Sequence, residues 1–152
     1  MNVNDIMTRS VRTVSPETRL LEVASLMCLY RISGLPVVDQ DKLVGFIAER
    51  DLLHRLFPTL EDLIQDRASV NLDELMAKYK DVVKLQVADV MIHKVITVSP
   101  EMHILKAASL MAGKHFRRIP VAEDGRLVGM LSLGDVHKAI FQANLTDTFA
   151  SR

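Results

Sequence analysis

The chain of 152 residues has no excess charge of either sign, a single cysteine, and no apolar run long enough to cross a bilayer. Nineteen Lys and Arg balance nineteen Asp and Glu. No global field therefore draws the protein to nucleic acid or to an anionic membrane, and any anion site must be local. Cys28 stands alone, which excludes an intramolecular disulfide and fits a reducing compartment. Its apolar helical surroundings predict a small buried hydrophobe. The N-terminal stretch MNVNDIMTRS lacks the basic region and apolar core of a signal peptide, and no segment approaches the ~18 apolar residues of a membrane span. The expected location is the cytoplasm, without membrane insertion and without nucleic acid as a partner.

Catalytic signatures are missing as well. No Gly-rich phosphate loop, nucleophile elbow or Ser-His-Asp order stands out. The five histidines, His54, His93, His103, His115 and His137, form no i, i+4 pair and no spacing with Cys28 that suggests a metal site, so surface or packing roles are expected, with His115 alone near enough to Arg117 and Arg118 to meet a phosphate. The eight methionines fall mostly at apolar helix positions and read as core. Neither a metal nor an enzymatic activity is expected.

What the sequence does have is a repeat. Asp5 to Leu56 aligns without a gap on Asp89 to Ile140, at one constant offset that places Pro16 on Pro100, Pro36 on Pro120, Gly45 on Gly129 and Asp51 on Asp135. With 49% hydrophobic and 25% charged residues, the chain is long enough for one domain, or for two half-domains that share a core.

Both copies carry the same local signals. A short β-rich run, Val11 to Val14 or Val95 to Val98, meets Ser-Pro-Glu, where the fixed φ and missing donor of proline suit a turn or a helix start. A helix follows, with Leu20, Val23, Ala24 and Met27 in the first copy, and Ile104, Ala107, Ala108 and Met111 in the second, spaced for one buried face. Gly113 is the expected helix stop. Next come the β-rich runs 35–38 and 43–47, and in the second copy 119–121 and 127–131, each pair joined by a turn segment and read as a hairpin. A second helix closes each unit, giving β-α-β-β-α twice. The predicted class is α+β: two such repeats packed about a pseudo-twofold axis, because units of this size are marginal alone. The expected boundaries are 1–56 for the first repeat, 57–88 for an insertion, and 89–152 for the second repeat with a C-terminal helix or tail.

The insertion has too many apolar residues and too little Gly and Ser for a flexible linker. Pro58 punctuates it, Asn71 with Glu74 three residues on reads as an N-cap, and Leu72, Leu75, Met76 and Tyr79 continue at helical spacing. One or two helices are expected there.

One constellation carries chemistry. Arg117 and Arg118, just before Ile119-Pro120, can bind a phosphate through charge-assisted bonds, and Asp135 at a helix start can accept from a vicinal diol, with Ser132 beside it. A ribose phosphate would satisfy that set. On the residues alone the alternative stays open: Asp135 caps the last helix, and the arginines are solvated charges.

The doubled pattern of Thr-Val-Ser-Pro, hydrophobic-Pro-Val and Leu-Val-Gly followed by Asp closely resembles the cystathionine-β-synthase (CBS) domain, and two in tandem resemble a Bateman module. The resemblance covers both repeats. It implies a regulatory module that binds an adenosine nucleotide, AMP, ADP or ATP, in the cleft between paired repeats. The family motif of Gly, two hydrophobics, Ser or Thr, two variable residues and Asp is matched in full by Gly129 to Asp135, Gly134 included. By resemblance Asp135 holds the ribose hydroxyls, Ser132 contacts ribose or phosphate, and Arg118 and Arg117 contact phosphate. The base is expected against Ile32, Ser33, Gly34 and Pro36, and near Thr8 and Val11. The first copy departs from the pattern: Ala48 replaces the hydroxyl, and Ser33-Gly34 stand where the second copy has arginines. An Asp51 cleft is therefore expected to be the weaker one. The family further implies a homodimer and, with no output domain attached, a separate effector protein. The competing expectation is a non-catalytic interaction or dimerisation scaffold with vestigial clefts.

Overall fold

The computed structural model describes residues 1–65 and 71–150. In chain order it contains α1 (Val3–Ile6), α2 (Leu20–Tyr30), β1 (Gly34–Asp39), β2 (Lys42–Ala48), α3 (Glu49–Leu53) continued by a 3-10 turn (His54–Leu56), α4 (Leu60–Ile64), α5 (Leu72–Ala77) and α6 (Tyr79–Val82). After these follow α7 (Val87–Val90), α8 (Ile104–Lys114), β3 (Arg118–Glu123), β4 (Arg126–Ser132) and α9 (Leu133–Ala150). The class is α+β, as predicted. Among the described residues no helix is long and apolar enough to cross a membrane.

Contacts divide the chain into two compact units, and neither is a simple stretch of sequence. The unit built on the second repeat takes Lys94 onward together with Met1–Arg12 and the hairpin tip Gln40–Leu43. Its core joins Ile104, Ala107 and Met111 of α8 to Ile119, Val121 and Leu131 of the β3–β4 hairpin and to Val136 and Ala139 of α9. Val3 and Met7 complete that core. They are held by the Val3 N–H donating to the Met102 carbonyl at 2.9 Å and the Asn4 N–H donating to the Pro100 carbonyl at 2.8 Å. The hairpin reverses through Asp124 and Gly125 at φ 52° and 76°, the left-handed pair that a tight turn matching strand twist requires.

The other unit holds Thr13–Asp39 and Val44–His93. Leu20, Val23 and Met27 of α2 pack with Leu35, Val37, Ile47 and Leu52, and with Val82 and Val87 from the end of the insertion and α7. α2 has no side-chain cap at Arg19. Its leading N–H groups instead find carbonyls of the returning chain: Leu20 donates to Leu85 at 2.8 Å and Leu21 to Val83 at 3.0 Å, which answers the unsatisfied donors of a helix start. Tyr79 packs on this core, and burial first, then the neighbouring Cys28, raises its phenol above the usual tyrosine value.

Several local expectations change. The runs before Pro16 and Pro100 form no extended strand; Val14 and Val98 each make one parallel bridge, to Val37 and Val121. Val14 donates to the carbonyl of Pro36 and Val98 to that of Pro120, both at 3.1 Å. The return bonds come from two residues on, Val38 donating to the Val14 carbonyl at 2.9 Å and Ala122 to that of Val98 at 3.0 Å; Pro36 and Pro120 have no N–H with which to extend the pairing, and the chain turns at Pro16 and Pro100. α8 does not stop at Gly113. It runs to Lys114 and ends at His115, whose φ of 59° is left-handed, with the Phe116 N–H donating back to Met111 at 2.8 Å. α2 ends the same way at Arg31, φ 53°. The repeat thus keeps the Schellman-type bond but not the glycine that usually makes it cheap. Cys28 is exposed, because the buried face of α2 runs through Leu20, Val23 and Met27 and leaves the next residue outside. In the insertion, the Asn71 side chain does accept from the Glu74 N–H at 3.2 Å. The helix it starts breaks at Lys78, so Leu75 and Tyr79 are partly buried while Leu72 and Met76 stay exposed.

Candidate functional site

In the unit built on the second repeat, β4 runs directly into α9 and Ser132 sits at the junction. The Ser132 N–H donates to Asp135 Oδ2 at 2.9 Å, and the Asp135 N–H donates to Ser132 Oγ at 3.0 Å. This reciprocal box satisfies two backbone donors of an 18-residue helix. It does not exhaust either side chain. A serine hydroxyl that accepts one bond keeps its own O–H to donate, and Asp135 Oδ1 has no hydrogen-bond partner among the described residues.

The arginines are brought to the same corner by the hairpin. Arg118 lies opposite Ser132 in the β3–β4 ladder, and the Leu133 N–H donates to the Arg117 carbonyl at 2.9 Å. Both side chains are exposed, while Ser132 and Asp135 are half-buried and Gly134 is exposed. Thr8 joins from the chain's first segment, exchanging two 2.9 Å hydrogen bonds with Met130. Gly129 makes that approach possible: a Cβ there would lie 2.8 Å from the Thr8 carbonyl oxygen and 2.8 Å from Met7 Sδ. Val11, half-buried, follows three residues after Thr8 in the same unit. The corner offers a hydroxyl donor, a free carboxylate oxygen, two guanidiniums and the positive end of a long helix. That combination suits a ligand bearing both a diol and an anionic group.

Ile32, Ser33, Gly34, Pro36 and Asp51 belong to the other unit. There the equivalent corner is stripped down. The Ala48 N–H donates to Asp51 Oδ2 at 2.7 Å, but Ala48 has no side-chain oxygen with which to return the bond. The Glu49 N–H donates to the Ser33 carbonyl at 2.9 Å, as Leu133 does to Arg117. Ile92 takes the place of Thr8, pairing with Phe46 at 2.8 and 2.9 Å, and a Cβ on Gly45 would lie 2.9 Å from the Ile92 carbonyl oxygen. Ile32 and Gly34 are half-buried, Ser33 exposed and Pro36 buried. α3 is five residues long.

Met130 and Phe46, and the crossing residues Met7, Met91 and Ile92, were not among the candidates read from the sequence. The repeat offset that carries Asp5 onto Asp89 also carries Thr8 onto Ile92, and that signal was available. Among the described residues no cluster of His, Cys, Asp or Glu could hold a metal ion.

The repeat matches a known family. The CBS domain model matches twice, at residues 3–58 and 87–142, so the chain belongs to the CBS domain family as a tandem pair. It is 35% identical over 154 aligned positions to an uncharacterized protein of Methanocaldococcus jannaschii, covering 92% of this chain and 91% of that one. It is 32% identical to the CBS domain-containing protein YhcV of Bacillus subtilis, over 89% of this chain and 82% of that one. Among solved structures, the CBS-pair protein CBSX2 of Arabidopsis thaliana superposes with a TM-score of 0.75 at 30% identity, covering 94% of this chain and 96% of that one. A crystal structure of CBSX2 in complex with AMP superposes with a TM-score of 0.71 at 29% identity, covering 94% of this chain and 98% of that one.

Proposed function

We propose that this protein is a non-catalytic regulatory module that binds an adenosine nucleotide, AMP, ADP or ATP, at the Ser132–Asp135 corner. The observation that carries the reading is the unspent half of the capping box. Ser132 keeps a donor and Asp135 keeps an acceptor, beside two exposed arginines whose backbone is tied to the same junction. A cap that served the helix alone has no use for that pair of cations. The AMP complex of CBSX2 supports an adenosine ligand. Asp135 Oδ1 accepts from the ribose diol, Ser132 donates to ribose or phosphate, and Arg117 and Arg118 neutralise phosphate. Thr8 and Val11, of the same unit, are assigned to the base, and the Asp51 corner is the weaker one.

Binding signals by changing conformation or oligomer packing, since a ligand shifts an equilibrium only by its differential affinity for two arrangements. A homodimer in the cytoplasm, read by a separate effector protein, is the form in which the module would act. A second reading, an interaction or dimerisation scaffold, draws support from exposed apolar side chains such as Leu29 at 73% and Ile64 at 74%. Isothermal titration with AMP, ADP and ATP separates the two. Saturable binding to one of them is expected; no heat and no thermal shift at millimolar nucleotide would overturn the nucleotide reading and favour the scaffold.

A further inference from the structure

We infer that the side chain at one repeat position, Met130 in the second copy and Phe46 in the first, decides whether a corner can carry its phosphate-directed arginine. The inference rests on the nucleotide reading of the Ser132–Asp135 corner and deepens it by naming a residue that sets specificity without contacting the ligand.

In the repeat alignment Gly34 corresponds to Arg118 and Phe46 to Met130. A Cβ built on Gly34 would stand 2.6 Å from Phe46 Cε1 and 2.8 Å from Phe46 Cζ. No ordinary packing tolerates such distances, so any side chain at position 34 requires the ring to shift. The base of that ring is not free to drift, because the Phe46 backbone is pinned on both sides by its 2.9 and 2.8 Å bonds to Ile92. Met130 is pinned in the same way by Thr8, yet Arg118 stands at the partner position with its side chain exposed. In the ladder Arg118 faces Ser132 and Pro120 faces Met130, so 118 and 130 are diagonal neighbours on one face, within reach of long side chains. An unbranched, flexible thioether yields room there; a rigid ring does not.

Two experiments test this on the full chain. The first measures AMP affinity of Met130→Phe, Met130→Leu, Arg118→Ala and the Met130→Phe/Arg118→Ala double variant. Expected is a loss of about tenfold or more for Met130→Phe, as large as that for Arg118→Ala, with no further loss in the double variant and little in Met130→Leu. Additive losses, or an unaffected Met130→Phe, would overturn the inference. If the parent chain binds no nucleotide, the functional reading fails, and the second experiment decides the steric claim by itself. It compares the melting temperature change caused by Gly34→Ala with Phe46 present and in a Phe46→Met background. Expected is a drop on the order of 3 °C or more with Phe46 and a clearly smaller one with methionine. Equal drops would show that the ring does not hold the space at position 34, and the inference falls.

Discussion

The Ser132–Asp135 corner and the Ala48–Asp51 corner are built on the same backbone plan, and they differ by what has been removed. Both keep the aspartate bonded to the N–H three residues before it, at 2.9 Å in one and 2.7 Å in the other. Both keep a glycine under a crossing carbonyl. Only the Ser132–Asp135 corner returns the bond through a hydroxyl, carries arginines at the strand start, and opens a helix of 18 residues. Features shared by the corners serve the fold, and features confined to one are candidates for binding. The capping aspartate alone is a poor reporter of function, because the fold needs it in both places.

The largest expected effect tests that division directly. Asp135→Ala should remove most nucleotide affinity, whereas Asp51→Ala should leave it nearly intact, as read by isothermal titration; equal losses would make both corners binding sites. Next, Arg117→Ala combined with Arg118→Ala should weaken ADP and ATP more than adenosine, with about 1.5–3 kcal/mol per lost charge-assisted bond. Uniform binding of the three ligands by that variant would take the arginines out of the site. The shared elements make the opposite prediction. Gly45→Ala and Gly129→Ala each push a Cβ to within 2.9 and 2.8 Å of a backbone oxygen, and both should cost stability by overpacking, about 1–3 kcal/mol in chemical denaturation. A large difference between them would break the symmetry of the crossing. The smallest effect exchanges the hydroxyl. Ser132→Ala should lose about 1 kcal/mol as a missing N-cap, and Ala48→Ser should recover part of that at the other corner, provided its new oxygen accepts from the Asp51 N–H.

Much of the fold was legible because the repeat, at one fixed offset, doubles every local signal. The apolar spacing of α2 and α8 and the Asp-Gly turn at Asp124 and Gly125 needed no tertiary information. What escaped was set by neighbours distant in sequence. The runs at Val14 and Val98 have strand composition, yet the facing prolines, Pro36 and Pro120, lack the N–H that would extend the pairing beyond one bridge. Gly113 has the chemistry of a helix stop, but the left-handed turn falls at His115, where the Phe116 N–H can reach Met111. Cys28 lies in an apolar stretch and still faces outward, because periodicity fixes a stripe more firmly than its edges. At the candidate site, the meeting of Arg118 with Ser132 follows from hairpin register. The role of Phe46 could not be read in advance, since a missing side chain at Gly34 becomes informative only once something is found in its place.

The leading segment that supplies Val3, Met7 and Thr8 to the second repeat has a counterpart in α7, Met91 and Ile92, which serve the first. Each repeat is therefore finished by the piece of chain written ahead of the other one. Cutting the polypeptide within the insertion would yield two fragments, each carrying the missing edge of its sibling. Neither should fold well by itself, and the two mixed should restore each other by complementation in trans. Thr8 must also find Met130 across most of the chain's length, a long loop to close. Folding should accordingly be slower than the local helices and hairpins suggest.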